Sequence, residues 1–466
     1  MNWLKLAAAQ YPNKAAIIYS NQTITYKMLY HNAMKVAYQL NTLDERRIAI
    51  QAENTLEDVY FIHGAILAGI EMVMINKHLT TKEITGQMKS VDTRLCFSNQ
   101  TLDMDCIHKQ QFITRALNQS NLFKGVDNKD EDILSIMFTS GTTGVQKAVP
   151  QRFKNHVASA VNCKKTFVYD HDAVWLDVLP LFHISGLSIL LRAVMDGCTV
   201  VLHDQFEPSK IIQDLAQYKV THLSLVPQTL ERLIQNGLNE RYHLQGVLIG
   251  GAKLDERLLE TSRRLNIPIY TSFGMTETCS QMITATPEDI QKHFKSVGRM
   301  NDNLKLFETN DGIYEIGVRG GNVMDGYLYP ENANDISFKE GYFLTGDIGY
   351  EDDGYLYILD RRKDLIISGG ENIYPSEIEQ IILNHCDIKA VAVIGVPDEK
   401  WGSRPVCLYE AQENQDSEIQ AILNTHLAKY KHPKTLIHVE NLMRTSNGKI
   451  SRSQIKDWYL NDYLKA

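Results

Sequence analysis

A loop rich in glycine and hydroxyl groups follows an apolar run in the first third of the chain. The apolar run, from Ile133 to Phe138, predicts a buried strand. The loop after it contains Thr139, Ser140, Gly141, Thr142, Thr143, Gly144 and Lys147. Backbone N–H groups made accessible by glycine, hydroxyl donors and a cation together suit a polyphosphate. The spacing is not that of a Walker A loop, and Ala148 stands where that loop has Ser or Thr. A solvated turn between a strand and a helix is the alternative interpretation.

A second segment, from Ser272 to Thr278, follows a strand predicted to end at Tyr270. It offers an aromatic face at Phe273 for a base and a hydroxyl at Thr276 for a phosphate. The carboxylate of Glu277 provides the hard oxygen ligand that Mg²⁺ prefers. A solvated acidic loop is the alternative for this segment taken alone.

Two segments in the last third carry one further functional group each. Thr345-Gly346-Asp347 places a carboxylate at what we expect to be a tight turn, suited to bind vicinal ribose hydroxyls. The segment from Arg444 to Lys449 places a lysine on a flexible loop near the C-terminus. Each of these segments alone is more often structural than functional, and only their combination indicates nucleotide chemistry.

The elements that must position these groups alternate between helix and strand as far as about residue 350. Helices are predicted at 209–218 and 255–265, and strands at 221–226, 247–249 and 267–270. This alternation predicts an α/β fold, a layered N-terminal domain with β-sheets flanked by helices, in which ligands bind at the loops that leave the strands.

The pattern changes beyond residue 345. A tyrosine-rich alternating segment, 349–359, is interrupted by a hairpin turn at Asp352-Asp353-Gly354. The charged run 360–364 comes next, and the remaining hundred residues suffice for a small mobile α+β domain. We therefore predict a large domain over 1–360, a hinge over 361–364 and a small C-terminal lid domain over 365–466. A salt-bridged turn is the alternative to the hinge.

Composition and charge exclude several classes of protein. With 466 residues, 44% of them hydrophobic, the chain can form at least two domains with substantial cores. A net charge of -8 argues against nucleic-acid partners and gives no attraction to anionic membranes. The seven cysteines form no CxxC pair, and the amino terminus has too short an apolar run for a signal peptide. These features predict a cytoplasmic protein without a membrane span, and they leave its oligomeric state open, a homo-oligomer included.

Taken together, these segments resemble the core motifs of the adenylate-forming superfamily, which includes acyl- and aryl-CoA ligases, peptide-synthetase adenylation domains and firefly luciferase. The motifs appear in the family's order from Thr139 to Lys449. Segments 179–188, 225–230 and 368–375 are most similar to the members that ligate 2-succinylbenzoate to CoA in menaquinone biosynthesis. Three residues depart from the family pattern: Gln146, Asp360 and Met443. They remove no group that the chemistry requires.

The resemblance implies an ATP- and Mg²⁺-dependent ligase that forms an acyl-adenylate and then the thioester of coenzyme A. It assigns catalysis to Lys449, Glu277 and His183, with Glu277 also the ligand of Mg²⁺. The implied nucleotide site combines the hydroxyl-rich loop and Lys147 with Gly250, Gly251, Ala252, Phe273, Gly274, Thr276, Asp347 and Arg361.

For the second half-reaction, the resemblance implies that the small domain rotates about Lys363. Gly369 and Gly370 would then line the tunnel for the pantetheine arm, since glycine permits close backbone approach. A plain turn is the alternative for this glycine pair.

The acid site is expected to contain His183, Arg192, Ser224 and Gln228. Arg192 is a single cation in the apolar segment 186–195, so it either extends to solvent or meets a buried anion. Its position after the His183 loop favours an anion, and the ring carboxylate of succinylbenzoate would supply one. His183 is about as often a structural histidine.

Three other functions are consistent with parts of the pattern. One is a stand-alone adenylation enzyme that loads a carrier protein, and another is a ligase for aryl or medium-chain acids. The third is a silent nucleotide-binding protein, which the presence of both Lys449 and Glu277 disfavours.

Overall fold

The computed structural model describes residues 2–104, 106–139, 146–251, 254–309, 313–368, 371–398, 401–427, 429–445 and 448–465. Several residues predicted to line the site lie outside these ranges: Ser140, Gly141, Thr142, Thr143, Gly144, Ala252, Gly369 and Gly370. Contacts within the chain define two compact units. The first is Met1–Leu254, Glu260–Arg299 and Val318–Phe343, and the second is Asp255–Leu259, Met300–Gly317 and Leu344–Ala466. Such a division does not show where the chain bends, so the hinge at 361–364 remains a prediction.

Helices and strands alternate along most of the chain, as the sequence predicts. Up to residue 139 they are α1 (Trp3–Gln10), β1 (Ala15–Tyr19), β2 (Gln22–Thr25), α2 (Tyr26–Asn41), β3 (Arg47–Gln51), α3 (Leu56–Ala68), β4 (Glu71–Ile75), α4 (Thr81–Ser90), β5 (Leu95–Ser98), β6 (Ile107–His108), α5 (Lys109–Asn118) and β7 (Ile133–Thr139). From 147 to 299 they are β8 (Lys147–Arg152), α6 (Phe153–Thr166), β9 (Val174–Asp177), α7 (Ile184–Asp196), β10 (Thr199–Leu202), α8 (Pro208–Gln217), β11 (His222–Leu225), α9 (Pro227–Gln235), β12 (Gly246–Ile249), α10 (Glu256–Arg264), β13 (Ile269–Met275), β14 (Ser280–Ala285), α11 (Pro287–Lys292) and β15 (Ser296–Arg299). Beyond 300 they are β16 (Leu304–Glu308), β17 (Tyr314–Val318), α12 (Asn334–Ser337), β18 (Phe338–Lys339), β19 (Tyr342–Asp352), β20 (Tyr355–Arg361), β21 (Ile366–Ser368), β22 (Glu371–Ile373), α13 (Pro375–His385), β23 (Ala390–Asp398), β24 (Gly402–Glu410), α14 (Asp416–His426), β25 (Thr435–Val439) and α15 (Arg452–Asn461).

The first unit contains two large sheets. One has the strand order β14-β13-β12-β11-β9-β10-β1-β2, parallel from β13 to β1 and antiparallel at both edges. The other has the order β6-β5-β3-β4-β7-β8, with only β8 antiparallel. Mostly parallel sheets need helices on both faces, and the apolar runs in the central strands follow from that burial.

One continuous core joins the two sheets of the first unit. It includes Ile48 and Met72 from the second sheet and Trp175 and Val200 from the first. Helices α2, α3 and α7 supply buried side chains to the same core, such as Leu187 of α7. Alternating layers of sheet and helix around one core confirm the predicted α/β class for the large N-terminal domain.

The second unit ends in a small α+β domain, as the sequence predicts. Its sheet has the order β23-β24-β25, and successive residues of β23 face opposite sides. Val391 and Val393 pack with α13 and α14, whereas Ala392 and Ile394 pack with α15. Alternate residues of this one strand therefore contribute to two separate hydrophobic cores, one on each face of the sheet.

Two of the local predictions about the site need correction. Strand β13 does not end at Tyr270 but runs to Met275, because β14 pairs with it from Thr271 onward. Asp347 does not lie at a tight turn: it is inside β19 and opposite Arg361 of β20. The left-handed φ of Gly346, +73°, makes a local irregularity in that strand without ending it.

The hairpin between β19 and β20 turns at Asp353 and Gly354, as predicted. Both residues have positive φ, 49° and 77°, which suits a two-residue hairpin turn. Within the described ranges, none of the helices is both long and apolar enough to cross a bilayer.

Candidate active site

Several of the site residues predicted in the first unit directly follow the parallel strands of the larger sheet. His183 follows β9 and is the N-cap residue of α7, and Gln228 lies in the first turn of α9 after β11. Gly250 and Gly251 follow β12, where Gly251 has a φ of +80°. Because parallel strands end at one edge of a sheet, these groups belong to the edge where α/β proteins bind ligands.

Glu277 lies on a short 3₁₀ turn, Thr276–Thr278, immediately after β13. Its side chain is buried, and the backbone of its turn is bound by donors from outside it. Gln151 Nε2 donates to Thr276 O (2.9 Å), and the Met324 amide donates to Glu277 O (2.9 Å). The next two carbonyls, of Thr278 and Cys279, accept hydrogen bonds from Asn322 Nδ2 (3.0 Å) and Ser159 Oγ (2.5 Å). Four consecutive carbonyls are thus fixed, which presets the position of the Glu277 carboxylate.

The glycine and aromatic residue of the same segment are held by the sheet. Gly274 faces the backbone of β14 so closely that an added Cβ would lie 2.1 Å from Ser280 O, so only glycine fits. Phe273 is buried, at 7% exposure, and pairs with Ile283. Its predicted stacking on adenine remains a prediction.

Lys147 begins β8, directly opposite Thr139 at the end of β7. The antiparallel pair corrects the idea of a turn between a strand and a helix, since a strand follows the loop. The ammonium group of Lys147 lies over the ring of Tyr327, with Nζ 4.5 Å from the ring centroid. Tyr327 in turn donates a hydrogen bond from its hydroxyl to Glu277 Oε1 (3.0 Å). The cation predicted to bind phosphate and the carboxylate predicted to bind metal therefore share one aromatic residue.

Arg192 is buried in α7, at 2% exposure. Its Nη2 donates to Ser159 Oγ (3.0 Å) and its Nη1 donates to Gln281 Oε1 (3.3 Å). Its third nitrogen, Nε, has no hydrogen-bond partner among the described residues. Burial, reinforced by the charge of Arg192, lowers the pKa of neighbouring His156 to about 3, so that imidazole is neutral at pH 7. Its hydrogen-bond partners in the described part of the chain are neutral, so this buried cation would gain by pairing with an anionic ligand.

Ser224 is buried in β11 and accepts a hydrogen bond from Trp175 Nε1 (3.2 Å). His183 is half-buried, with its ring 4.5 Å from that of Phe182. Gln228 is exposed. These contacts are consistent with a polar lining for an acid pocket, and the binding roles of all three remain predictions.

In the second unit Asp347 and Arg361 form an ion pair, and Lys449 interacts electrostatically with both. Arg361 Nε lies 2.7 Å from Asp347 Oδ1, and Asp347 is buried. The side chain of Lys449 is in contact with solvent. Its pKa is nevertheless lowered, first because the surrounding protein partly removes water from the ammonium group and then because Arg361 carries a like charge. Asp347 acts in the opposite direction. A lysine from the far end of the chain thus lies within electrostatic reach of the pair predicted to hold ribose.

The predicted hinge residue, Lys363, is exposed on a 3₁₀ turn over Arg362–Asp364. Strands β21 and β22 pair Ser368 with Glu371, on either side of the glycine pair at 369 and 370. Arg452 of α15 binds this stretch through Asp364 (2.9 Å) and Asp360 (3.4 Å), and it also binds Glu379 (2.6 Å). Asp360, one of the three departures from the family pattern, therefore serves as an anchor for the last helix.

Two family models match the chain, one in each of its two main parts. The family model of the AMP-binding enzymes matches residues 4–328, and that of the AMP-binding enzyme C-terminal domain matches residues 377–449. The chain belongs to the AMP-binding enzyme family. This membership confirms the resemblance to the adenylate-forming superfamily, and the second family model extends as far as Lys449.

Individual AMP-binding enzymes match over nearly the full length. The chain is 43% identical over 466 residues to a 2-succinylbenzoate–CoA ligase of Staphylococcus epidermidis, covering 99% of this chain and 98% of that one. It is 34% identical to the o-succinylbenzoate CoA synthetase of Bacillus subtilis solved with its acyl-adenylate intermediate, with a TM-score of 0.91 and 98% of each chain covered. The same Bacillus enzyme solved with ATP and a magnesium ion also matches with a TM-score of 0.91, covering 98% of this chain and 99% of that one. The two matching structures of the Bacillus enzyme confirm the fold of a large α/β domain followed by a small C-terminal domain.

Four side chains that hold Glu277 or its turn in this AMP-binding enzyme are absent from the prediction: those of Gln151, Ser159, Asn322 and Tyr327. They come from β8, α6 and the segment after β17, far from Glu277 in sequence. The sequence offers one local signal for one of them: Tyr327 follows Gly326, and a glycine marks a turn or loop. Nothing in single-sequence periodicity connects such a dipeptide to a carboxylate fifty residues away.

Proposed function

We propose that the chain is a 2-succinylbenzoate–CoA ligase of menaquinone biosynthesis. In the first half-reaction, 2-succinylbenzoate is joined to the AMP part of ATP, and pyrophosphate is released. In the second, the acyl group is transferred from this adenylate to the thiol of CoA, and AMP is released. The observation that carries the substrate is the full-length match to enzymes named for this acid, at 43% and 34% identity. The cytoplasm is the proposed location, since ATP and CoA are both required.

Adenylate formation is attack of the acid's carboxylate on the α-phosphorus of ATP. Negative charge grows around that phosphorus in the transition state, and a fixed cation there typically contributes about 3 kcal/mol. Lys449 is the proposed cation. Its nearness to Asp347 and Arg361 supports this role, because a group beside the ribose is also close to the α-phosphate.

Ribose recognition is assigned to the pair in β19 and β20. The buried carboxylate of Asp347 accepts hydrogen bonds from the vicinal hydroxyls, while Arg361 holds that carboxylate in place (Nε to Oδ1, 2.7 Å). Such a charge-assisted contact is strong and directional. Gly250, Gly251 and Phe273 are proposed to flank the adenine.

Glu277 is proposed to hold Mg²⁺, and its surroundings fit that ion. A carboxylate is the hard oxygen ligand that Mg²⁺ prefers, and the fixed carbonyls around the turn restrict its movement. When bound, the ion neutralises charge on the phosphates. Lys147 and the hydroxyl-rich loop from Thr139 are proposed to hold the β- and γ-phosphates, which leave as pyrophosphate.

The ring carboxylate of the substrate is proposed to pair with Arg192. The support is chemical: a buried guanidinium with only neutral partners in the described part of the chain gains by meeting an anion. Its bonds to Ser159 and Gln281 also suit a purely structural arginine. A structural arginine would need no second carboxylate on the substrate. The second candidate function is therefore a ligase for aryl acids that lack a ring carboxylate.

The deciding experiment incubates the purified chain with ATP and Mg²⁺ and a panel of acids, with and without CoA. Pyrophosphate and thioester are measured separately. We expect 2-succinylbenzoate to release pyrophosphate without CoA and to yield thioester with it, well ahead of benzoate, octanoate and 4-oxo-4-phenylbutanoate. Equal use of 4-oxo-4-phenylbutanoate would favour the second candidate. Pyrophosphate release without any thioester would instead indicate an enzyme that loads a carrier protein.

A further inference from the structure

Tyr327 contacts two groups of opposite charge in the first unit. Its hydroxyl donates to Glu277 Oε1 at 3.0 Å, and the Lys147 ammonium lies 4.5 Å from its ring centroid. The residue itself is buried, at 5% exposure. A neutral phenol can hold a carboxylate without cancelling its charge, and an aromatic face can hold an ammonium group without forming an ion pair.

The backbone around Tyr327 is fixed independently of these two contacts. Asn334 bonds to both sides of it, accepting from the Tyr327 amide (2.8 Å) and donating to its carbonyl (3.1 Å). Ala148, the neighbour of Lys147, forms a bridge with Tyr329: its amide donates to the Tyr329 carbonyl (2.7 Å), and its carbonyl accepts from the Leu328 amide (2.9 Å). Gly326 has a φ of +151°, which only glycine adopts readily. The backbone that carries the ring is therefore held by β8 and α12, through contacts that do not involve the side chains of Glu277 or Lys147.

We propose that Tyr327 is a positioning residue for adenylate formation, holding the Glu277 carboxylate for a divalent cation and the Lys147 ammonium for the triphosphate. The proposal rests on the proposed function for its reaction, but its physical content concerns metal and nucleotide binding. The hydroxyl engages Oε1 and so fixes the direction of Oε2. Without Tyr327, the opposite charges of Lys147 and Glu277 would be free to pair with each other, leaving fewer groups poised for metal and phosphate.

The first test replaces Tyr327→Phe, which keeps the ring and removes the hydroxyl. Pyrophosphate release is measured while free Mg²⁺ is varied at a fixed concentration of MgATP. We expect the half-maximal Mg²⁺ concentration to rise roughly tenfold, the size of one lost hydrogen bond to a charged group. The rate at saturating Mg²⁺ and thioester formation from preformed acyl-adenylate should equal those of the parent. Tyr218→Phe is the matched control, because its hydroxyl bonds to Asn21 on the exposed surface of the same unit.

The second test replaces Tyr327→Leu, which also removes the aromatic face under Lys147. We expect the KM for ATP at saturating Mg²⁺ to rise in this variant and not in the Phe variant. An unchanged Mg²⁺ dependence in Tyr327→Phe overturns the carboxylate half of the proposal, and identical behaviour of the two variants overturns the ammonium half. Equal loss of both half-reactions, or a lowered Tm in Tyr327→Phe, overturns positioning in favour of a structural role.

Calorimetric titration of MgATP in the absence of any acid separates this inference from the proposed function. Weaker binding in Tyr327→Phe at limiting Mg²⁺, and in Tyr327→Leu at saturating Mg²⁺ as well, supports the role of Tyr327 even where the parent does not act on 2-succinylbenzoate. Unchanged MgATP binding and Mg²⁺ dependence in a parent that is an active ligase would overturn the role of Tyr327 and leave the proposed function standing.

Discussion

The turn that carries Glu277 and the hairpin that carries Lys449 are held in opposite ways. Four consecutive carbonyls of the Glu277 turn accept hydrogen bonds from distant elements, and the carboxylate is buried. The Lys449 hairpin is bound mainly by its own residues: the Thr445 amide donates to the Lys449 carbonyl (2.7 Å), and the Gly448 amide donates to the Thr445 carbonyl (2.9 Å). Arg444 links the hairpin to the rest of the unit by binding the buried Glu410 (3.0 Å). Lys449 itself keeps contact with solvent.

The difference follows from what each group has to do. A metal ligand works best when its position is set before the metal arrives, because reorganisation then costs nothing during the reaction. A lysine needed in only one half-reaction can be carried by a hairpin whose described backbone hydrogen bonds run between its own residues. The proposed functions of Glu277 and Lys449 thus predict different responses to mutation: loss of stability in one region, and loss of a single half-reaction in the other.

The largest expected effect is that of Lys449→Ala. We expect the rate of pyrophosphate release to fall by roughly 10²–10³, as for other single groups that stabilise transition-state charge. Thioester formation from synthetic acyl-adenylate and CoA should survive, and the Tm should not change. Lys434→Ala, at an exposed lysine of the same unit, is the control. A variant that releases pyrophosphate at the parent rate would remove Lys449 from its assigned role.

A substitution at Lys363 should affect the other half-reaction. Lys363→Pro fixes φ and restricts Arg362 before it, so a backbone rotation at this turn is blocked. We expect thioester formation to fall by roughly a hundredfold, corresponding to about 3 kcal/mol, while pyrophosphate release persists. Lys363→Ala, which keeps the backbone free, should retain both activities. Equal loss of both half-reactions in the proline variant would show that the chain does not bend at Lys363.

In the Glu277 region the expected effect is on stability. Asn322 is fully buried and donates to the Thr278 carbonyl at 3.0 Å. Asn322→Ala leaves that carbonyl without its donor, so we expect the free energy of unfolding to fall by about 1–3 kcal/mol. Asn236→Ala, at an exposed residue of the same unit, should change it little. Denaturant unfolding measures both, and equal stability of the two variants would contradict the idea of a fixed turn.

The sequence predicts the functional side chains better than the long-range contacts that hold those side chains in position. Local patterns predict the strand before Thr139, helix α8 and the hairpin turn at Asp353, because each depends on neighbouring residues only. The predicted end of β13 at Tyr270 is wrong, because the length of this strand is set by its pairing with β14. Asp347 was placed at a turn because Gly346 suggested one, whereas pairing with β20 keeps it in a strand. Tyr327 and Asn322 could not be found, because long-range hydrogen bonds leave no local period.

Arg192 is expected to show a smaller effect, on specificity. We expect Arg192→Leu to reduce the preference for 2-succinylbenzoate over 4-oxo-4-phenylbutanoate by about tenfold, since one half of a desolvated charge pair is lost. The KM for ATP should stay near that of the parent. Arg264→Leu, at an exposed arginine, controls for the loss of charge. An unchanged preference, with a lowered Tm, would make Arg192 a structural link between α6, α7 and β14.

The smallest expected effect is a displacement of the pH profile by charges around Lys449. Burial, and then the charge of Arg361, lowers the pKa of Lys449 below its ordinary value, so the ammonium deprotonates at a lower pH than a free lysine. Because only the charged form stabilises the transition state, kcat/KM for pyrophosphate release should fall as pH rises through that lowered pKa. Arg361→Gln removes the like charge and should move the alkaline limb to higher pH, although ribose binding weakens. Asp347→Asn removes the opposing charge and should move the limb to lower pH. Lys449→Arg should abolish the limb, since a guanidinium does not deprotonate in this range. A limb that stays in place in all three variants would belong to another group.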